Sequence, residues 1–180
     1  MNNILEDGNW ESELLAFTLP RWDELPDIDI YMDQLVKIVD KYTQPLLLDH
    51  TKALTPSMIN NYVKLKLVPK PYKKKYGKNH LARVLVITIL KQVFEIPAIR
   101  NGIELKIDAT NAKEAYNLFC EHLESTITCF LVEENKSVTI NEIKRDYDPI
   151  QMACTTFIAK LITEKHLDDI LKETITTGEK

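Results

Sequence analysis

Between residues 55 and 78, short hydrogen-bonding side chains and cations follow one another closely: Thr55, Ser57, Asn60 and Asn61, then Tyr62, Lys64 and Lys66, then Lys73, Lys74, Lys75, Tyr76 and Lys78. Hydroxyls and amides of this length reach base edges from a helix laid in the major groove, and asparagine binds adenine through two hydrogen bonds. A helix N-terminus favours a phosphate. Lysines grip a phosphate backbone, and Tyr72 and Tyr76, interleaved with them, add hydroxyl donors. The pattern points to polyanion binding, with double-stranded DNA as the expected partner. Plainer explanations stand beside it. The lysine run is also what a solvated loop looks like, Tyr62 is at helical spacing from Met58 and Leu65 as a core aromatic would be, and Asn60 and Asn61 are compatible with neutral exposed positions. An alternative function is a non-catalytic protein–protein interaction module whose basic loop docks an acidic partner.

The charge distribution sharpens this reading. The chain has 180 residues and a net charge of -4. Residues 1–49 carry 11 acids against 3 bases, and residues 101–180 carry 15 acids against 9 bases. Residues 64–100 hold ten bases (six from Lys64 to Lys75, then Lys78, Arg83, Lys91 and Arg100) against the single acid Glu95. A basic stretch inside an acidic chain is a localised surface of the kind that attracts polyanions.

Other chemistries find little material. Four glycines leave no Gly-rich phosphate loop, and neither HExxH nor GxSxG occurs. Asp27, Asp29 and Asp33 cluster, but a helix start accounts for them through the macrodipole. No enzyme and no cofactor are expected. Cys120, Cys129 and Cys154 are odd in number and irregularly spaced, which argues for reduced thiols rather than a disulfide framework. Cys120 and His122 are two residues apart on an expected helix and point away from each other, so no metal site is expected. The acidic start MNNILEDGNWESE has no signal-peptide character, and the longest nearly apolar run, Val84–Leu90, is far short of a membrane span. The expectation is a soluble cytoplasmic protein with no membrane partner.

The elements that would position these residues read as mostly helical. Ile28, Met32, Leu35, Val39 and Tyr42 share one helix face, and Pro45 ends that helix. Thr55-Pro56 predicts an N-cap with proline at the first helical position, opening a helix over 55–65 that buries Met58 or Ile59, Tyr62 and Leu65. Pro69 and Pro71 forbid helix, so a possible two-stranded wing lies around 67–76, with its basic part at 69–78. Asn79 is the expected cap of a core helix running from His80 to Phe94, and Pro97 starts a short helix. A break around Lys106–Thr110 predicts a soft domain boundary. Two long amphipathic helices follow, about 110–131 and 149–175, with one extra helical turn possible between them.

Helix, connection, polar helix, basic loop and apolar helix is the order of a winged helix-turn-helix. The segment 55–100, TPSMINNYVKLKLVPKPYKKKYGKNHLARVLVITILKQVFEIPAIR, resembles the N-terminal domain of MerR-type transcription regulators. The likeness lies in a recognition helix ending in tyrosine, an L-x-P-x-P exit, a basic wing closing at Tyr76, and a Leu/Ile-rich helix followed by F-x-I-x-x-I. Residues 17–105, opening LPRWDELPDIDIYMDQLV from Leu19, also resemble a Gram-positive bacterial family known as a domain of unknown function, whose members are taken to be regulators of that winged type. The resemblance implies an all-α, MerR-like winged helix-turn-helix with a minimal wing over 17–105 and a helical C-terminal region over 106–180. It also implies a DNA-binding transcriptional regulator, with Tyr62 as a phosphate contact. The regulators' Arg-Tyr-Tyr appears here as Asn60-Asn61-Tyr62, their helix-exit glycine as Lys66, and their wing arginine as Lys74. A homodimer is expected, because one short recognition helix reads few base pairs. The C-terminal helices would either pair between chains or enclose a pocket for a small-molecule effector.

Overall fold

A helix that is apolar on every side has to be buried, and the fold is arranged around one. In the computed structural model, which describes residues 10–47, 53–132 and 148–178, that helix is α4 (Lys78–Leu90), with Leu81, Ala82 and everything from Val84 to Leu90 buried. Around it stand α1 (Trp10–Leu15), α2 (Met32–Thr43), α3 (Pro56–Lys64), α5 (Ile96–Ala109), α6 (Ala112–Val132) and α7 (Pro149–Gly178). The fold is all-α, with no strand among the described residues. α2 packs on α4, while α6 and α7 pack along each other and close the far side of α4.

Each start has a local cause. α2 opens at Met32 instead of near Ile28, because Ile30 and Tyr76 exchange two backbone hydrogen bonds (3.0 and 2.8 Å) that hold the preceding residues extended. The Tyr31 N–H then donates to Gln34 Oε1 at 2.8 Å. Of the three clustered aspartates only Asp33 reaches the first turn of α2. α4 starts one residue before the expected cap Asn79, and the Gly77 N–H donates to His80 Nδ1. α5 has 14 residues and passes straight through the expected boundary at 105/106. The chain leaves the helical region at Thr110, and Asn111 Oδ1 accepts the Glu114 N–H to begin α6. α7 begins with Pro149 after Asp148, whose Oδ1 accepts the Ile150 N–H. The extra turn expected between α6 and α7 lies outside the described residues.

The two regions expected as separate domains share one core. Leu35, Ile59, Leu85, Leu123 and Phe157 belong to a single buried cluster. Polar ties also cross the expected division. Arg21 forms a two-pronged ion pair with Glu124 (2.8 and 2.6 Å), the Trp22 N–H donates to Asn117, and the Tyr116 hydroxyl donates to the Pro20 carbonyl. α1, absent from the sequence expectation, is held to α7 by Trp10, whose Nε1 donates to Asp169 at 2.9 Å while its ring meets His166 edge-on.

Candidate functional site

α3 is short, amphipathic and capped as its sequence requires. Thr55 Oγ1 accepts the Met58 N–H at 3.3 Å, and Pro56 occupies the first turn. Ile59 and Tyr62 face the core, but Leu65, expected to join them, is exposed. The solvent face carries Ser57, Asn60, Asn61 and Lys64. These are residues i, i+3, i+4 and i+7, one stripe of a helix. Thr55 therefore serves mainly as a cap, and the hydrogen-bonding surface is the stripe that follows it.

The exit from α3 is a Schellman turn. The Leu67 N–H donates to the Tyr62 carbonyl and the Lys66 N–H to the Val63 carbonyl. This turn needs a left-handed residue, usually glycine, and Lys66 fills the position with φ 61°. Buried Leu67 and Tyr62 supply the accompanying apolar contact.

The loop after it is a minimal hairpin. The Lys75 N–H donates to the Tyr72 carbonyl at 2.9 Å, and the two central residues, Lys73 and Lys74, have φ of 47° and 64°. Positive φ at both centres marks the tight hairpin turn that normally holds Asn-Gly. Isolated bridges Tyr72–Lys75 and Ile30–Tyr76 replace the two strands the sequence suggested. The second bridge fixes the hairpin to the segment that leads into α2.

Electrostatically the ten bases separate into two groups. Lys64, Lys66, Lys70, Lys73, Lys74 and Lys75 make no ion pair with any described residue, and all but half-buried Lys75 are exposed. Arg100, exposed on α5, likewise makes no ion pair with a described residue, whereas the other three are compromised. Lys78 lies 3.5 Å from Asp27, and Arg83 is paired with Glu104 at 2.6 Å. Lys91 Nζ is buried with no hydrogen-bond partner, and burial pushes its pKa down despite the nearby Asp40. Lys91 thus contributes nothing to the basic surface.

The tyrosines divide as well. Tyr62 and Tyr76 are each only 3% exposed and belong to the core, so their rings are packing elements, and burial raises both hydroxyl pKa values. They do not stand out from the surface as phosphate-contacting side chains. Tyr72 is 71% exposed, with Lys73 Nζ 5.3 Å from its ring centroid. Sequence reasoning missed Tyr31, which is exposed and carries Lys75 Nζ 5.6 Å over its ring. No local pattern marks it. It reaches the hairpin only because Ile30 pairs with Tyr76.

Elsewhere little reactive chemistry is assembled. Burial pushes the thiols of Cys120 and Cys154 up to about 11 and about 12, so neither is a thiolate at neutral pH. Among the described residues no group of three or more His, Cys, Asp or Glu is placed to hold a metal ion, and no helix is long and apolar enough to cross a membrane.

Comparison with known proteins gives one likeness. Residues 20–119 match a family described as a domain of unknown function, DUF1836. No curated protein and no solved structure matches the chain.

Proposed function

The chain belongs to the DUF1836 family, a domain of unknown function, and from that premise we propose that it is a DNA-binding transcriptional regulator with a minimal MerR-like winged helix-turn-helix. In this reading α3 is the recognition helix. Ser57, Asn60 and Asn61 read base edges, Lys64 and Lys66 contact phosphates beside them, and the Lys73–Lys75 hairpin is the wing that grips the backbone. A homodimer doubles the half-sites.

One observation carries the reading. The three left-handed non-glycine residues among those described are Lys66, Lys73 and Lys74. Each holds a position where glycine or asparagine would be less strained, at about 1–2 kcal/mol per residue for an ordinary side chain. Strain retained at exposed cations points to a use for the cations, since such outliers cluster at functional sites.

The test sets stability against binding. Lys73→Asn with Lys74→Gly restores the preferred turn and removes two charges. The variant is expected to be more stable in urea and to bind a random-sequence duplex more weakly in fluorescence anisotropy. Its salt dependence should flatten by about 2 units in log–log slope, for two lost phosphate contacts. A variant that is stabilised but binds as well as wild type would remove the wing from DNA. Failure of wild type to bind at low salt would instead favour the acidic protein partner.

A further inference from the structure

Helices α4, α5, α6 and the start of α7 leave between them a cavity of about 700 Å³. The space is open to solvent on one side, a deep groove and not an enclosed void, and its volume lies in the range of small-molecule sites. Its walls are aliphatic and aromatic, with Val86, Ile99, Ile103, Phe119 and Ile150 among them, and they are thinned by small residues such as Ala82, Ala115 and Ala153. Gly102 sits at the wall within α5, and a Cβ added there would meet nothing within 4 Å. A glycine inside a helix disfavours it, and alanine would repair that without a clash. Gly102 is exposed, and the space above it is left open at a cost to the helix that no neighbour among the described residues explains.

The polar groups on the wall define the occupant. Lys106 is paired with Asp148, and Arg83 with Glu104, so the charges at the cavity already cancel. A charged guest would be desolvated without a counter-ion. Arg83 donates through Nη1 to Glu104 and to the Leu67 carbonyl, and through Nε to Asn79. Its Nη2 donates to no described residue and is the donor available to a guest. We propose that this cavity is a binding site for an uncharged, mostly apolar small molecule carrying one hydrogen-bond acceptor, and that its occupancy is relayed by Arg83 to the basic hairpin. The relay is direct, because the same guanidinium nitrogen that holds Glu104, which lies between the wall residues Ile103 and Leu105 on α5, is 3.1 Å from the Leu67 carbonyl, between the exit of α3 and the hairpin. The relay rests on the DNA-binding reading; the cavity does not.

The uncharged dye N-phenyl-1-naphthylamine, which brightens in apolar sites, tests the cavity on the full chain. Saturable binding at one dye per chain is expected, displaced by decanol better than by decanoate. Gly102→Leu, which adds volume where nothing is met, and Ala115→Leu should each weaken binding at least tenfold with the thermal midpoint of Gly102→Leu undiminished. Absence of saturable binding, or full binding by both variants, overturns the site. Better displacement by decanoate overturns the uncharged class. Dye stoichiometry that falls as chains dimerise would give the cavity to a second copy and overturn the ligand. For the relay, decanol should change duplex affinity at least threefold in wild type and not in Arg83→Lys, which keeps the charge and loses the fork. Equal affinity with and without decanol overturns the relay alone. Dye binding by a protein that binds no duplex would overturn the DNA-binding reading and leave the cavity standing.

Discussion

At Lys66 a side chain and its backbone have opposing preferences, and the opposition can be measured. The φ of 61° suits glycine, so Lys66→Gly is expected to raise the urea midpoint, by about 1 kcal/mol in stability at unchanged m-value. A fall would mean that the lysine makes a stabilising contact the geometry does not reveal. Lys91 is strained in a different way. Burial holds its pKa below the ordinary 10.5, and burial likewise raises the Asp40 carboxyl, which Lys91 and the Leu54 N–H only partly offset. For a lysine depressed in the folded state, the unfolded chain binds more protons between the folded pKa and 10.5, so stability rises with pH across that window. Replacing both groups, as Asp40→Asn with Lys91→Met, should stabilise the protein at pH 7 by about 1 kcal/mol and flatten the alkaline rise in thermal midpoint. Part of this was legible in the sequence. The resemblance sets Lys66 against a helix-exit glycine, the residue that a left-handed turn favours. Lys73 and Lys74 gave no such sign, because a tight hairpin announces itself by Asn-Gly and here the turn is made against preference. The burial of Lys91 was hidden because charge counted along a chain says nothing of which face a lysine takes.

At the scale of elements, periodicity carried furthest where it was longest. The apolar run of α4 and the stripes of α6 and α7 were readable from 3.6-residue spacing. The start of α2 was not, since it is set by a backbone bridge to Tyr76 in a distant segment. The expected break at 106–110 contains the observed exit at Thr110, while α5 runs on through Ala109 because nothing from Leu105 to Ala109 stops a helix. The stripe of α7 also changes character. Ile150, Cys154, Phe157 and Leu161 turn inward, whereas Leu167, Ile170 and Leu171 continue the same spacing in solvent. Periodicity shows that a face exists and is silent on what covers it. Asp148 is the residue on which α7 starts. It caps Ile150 and pairs with Lys106. Burial would raise its pKa, but those two partners overcome burial and hold it below the ordinary 3.8. Its stabilising contribution is complete above the ordinary carboxylate pKa and is lost as pH falls through the lower folded value. Asp148→Ala should therefore cost about 1 kcal/mol at pH 7 and much less near pH 2. Equal losses at both pH values, read from urea curves, would show that the charge plays no part.

For the molecule as a whole, the segment that matches the family and the packed core are different lengths of chain. The family match ends at residue 119, inside α6. Beyond it lie Glu124, which receives Arg21 and keeps that guanidinium strongly charged, and the core residues Leu123, Ile127, Phe157, Ile158 and Leu161. Without them α4 is bare on one side. A fragment of residues 20–119 is expected to show no cooperative urea transition by circular dichroism, while the full chain shows one. A sigmoidal transition in the fragment would make the matched segment an autonomous domain. The sequence suggested a soft boundary because its pattern breaks around 106–110, and the ties from Arg21, Trp22 and Tyr116 that cross it are invisible to pattern. The contact of Trp10 with His166 and Asp169 ties α1 to the distal half of α7. Helices that hold each other cannot fray independently: release of α1 removes a support from the distal half of α7. Amide hydrogens in both should then exchange as one cooperative unit, distinct in rate from the slower core around α4.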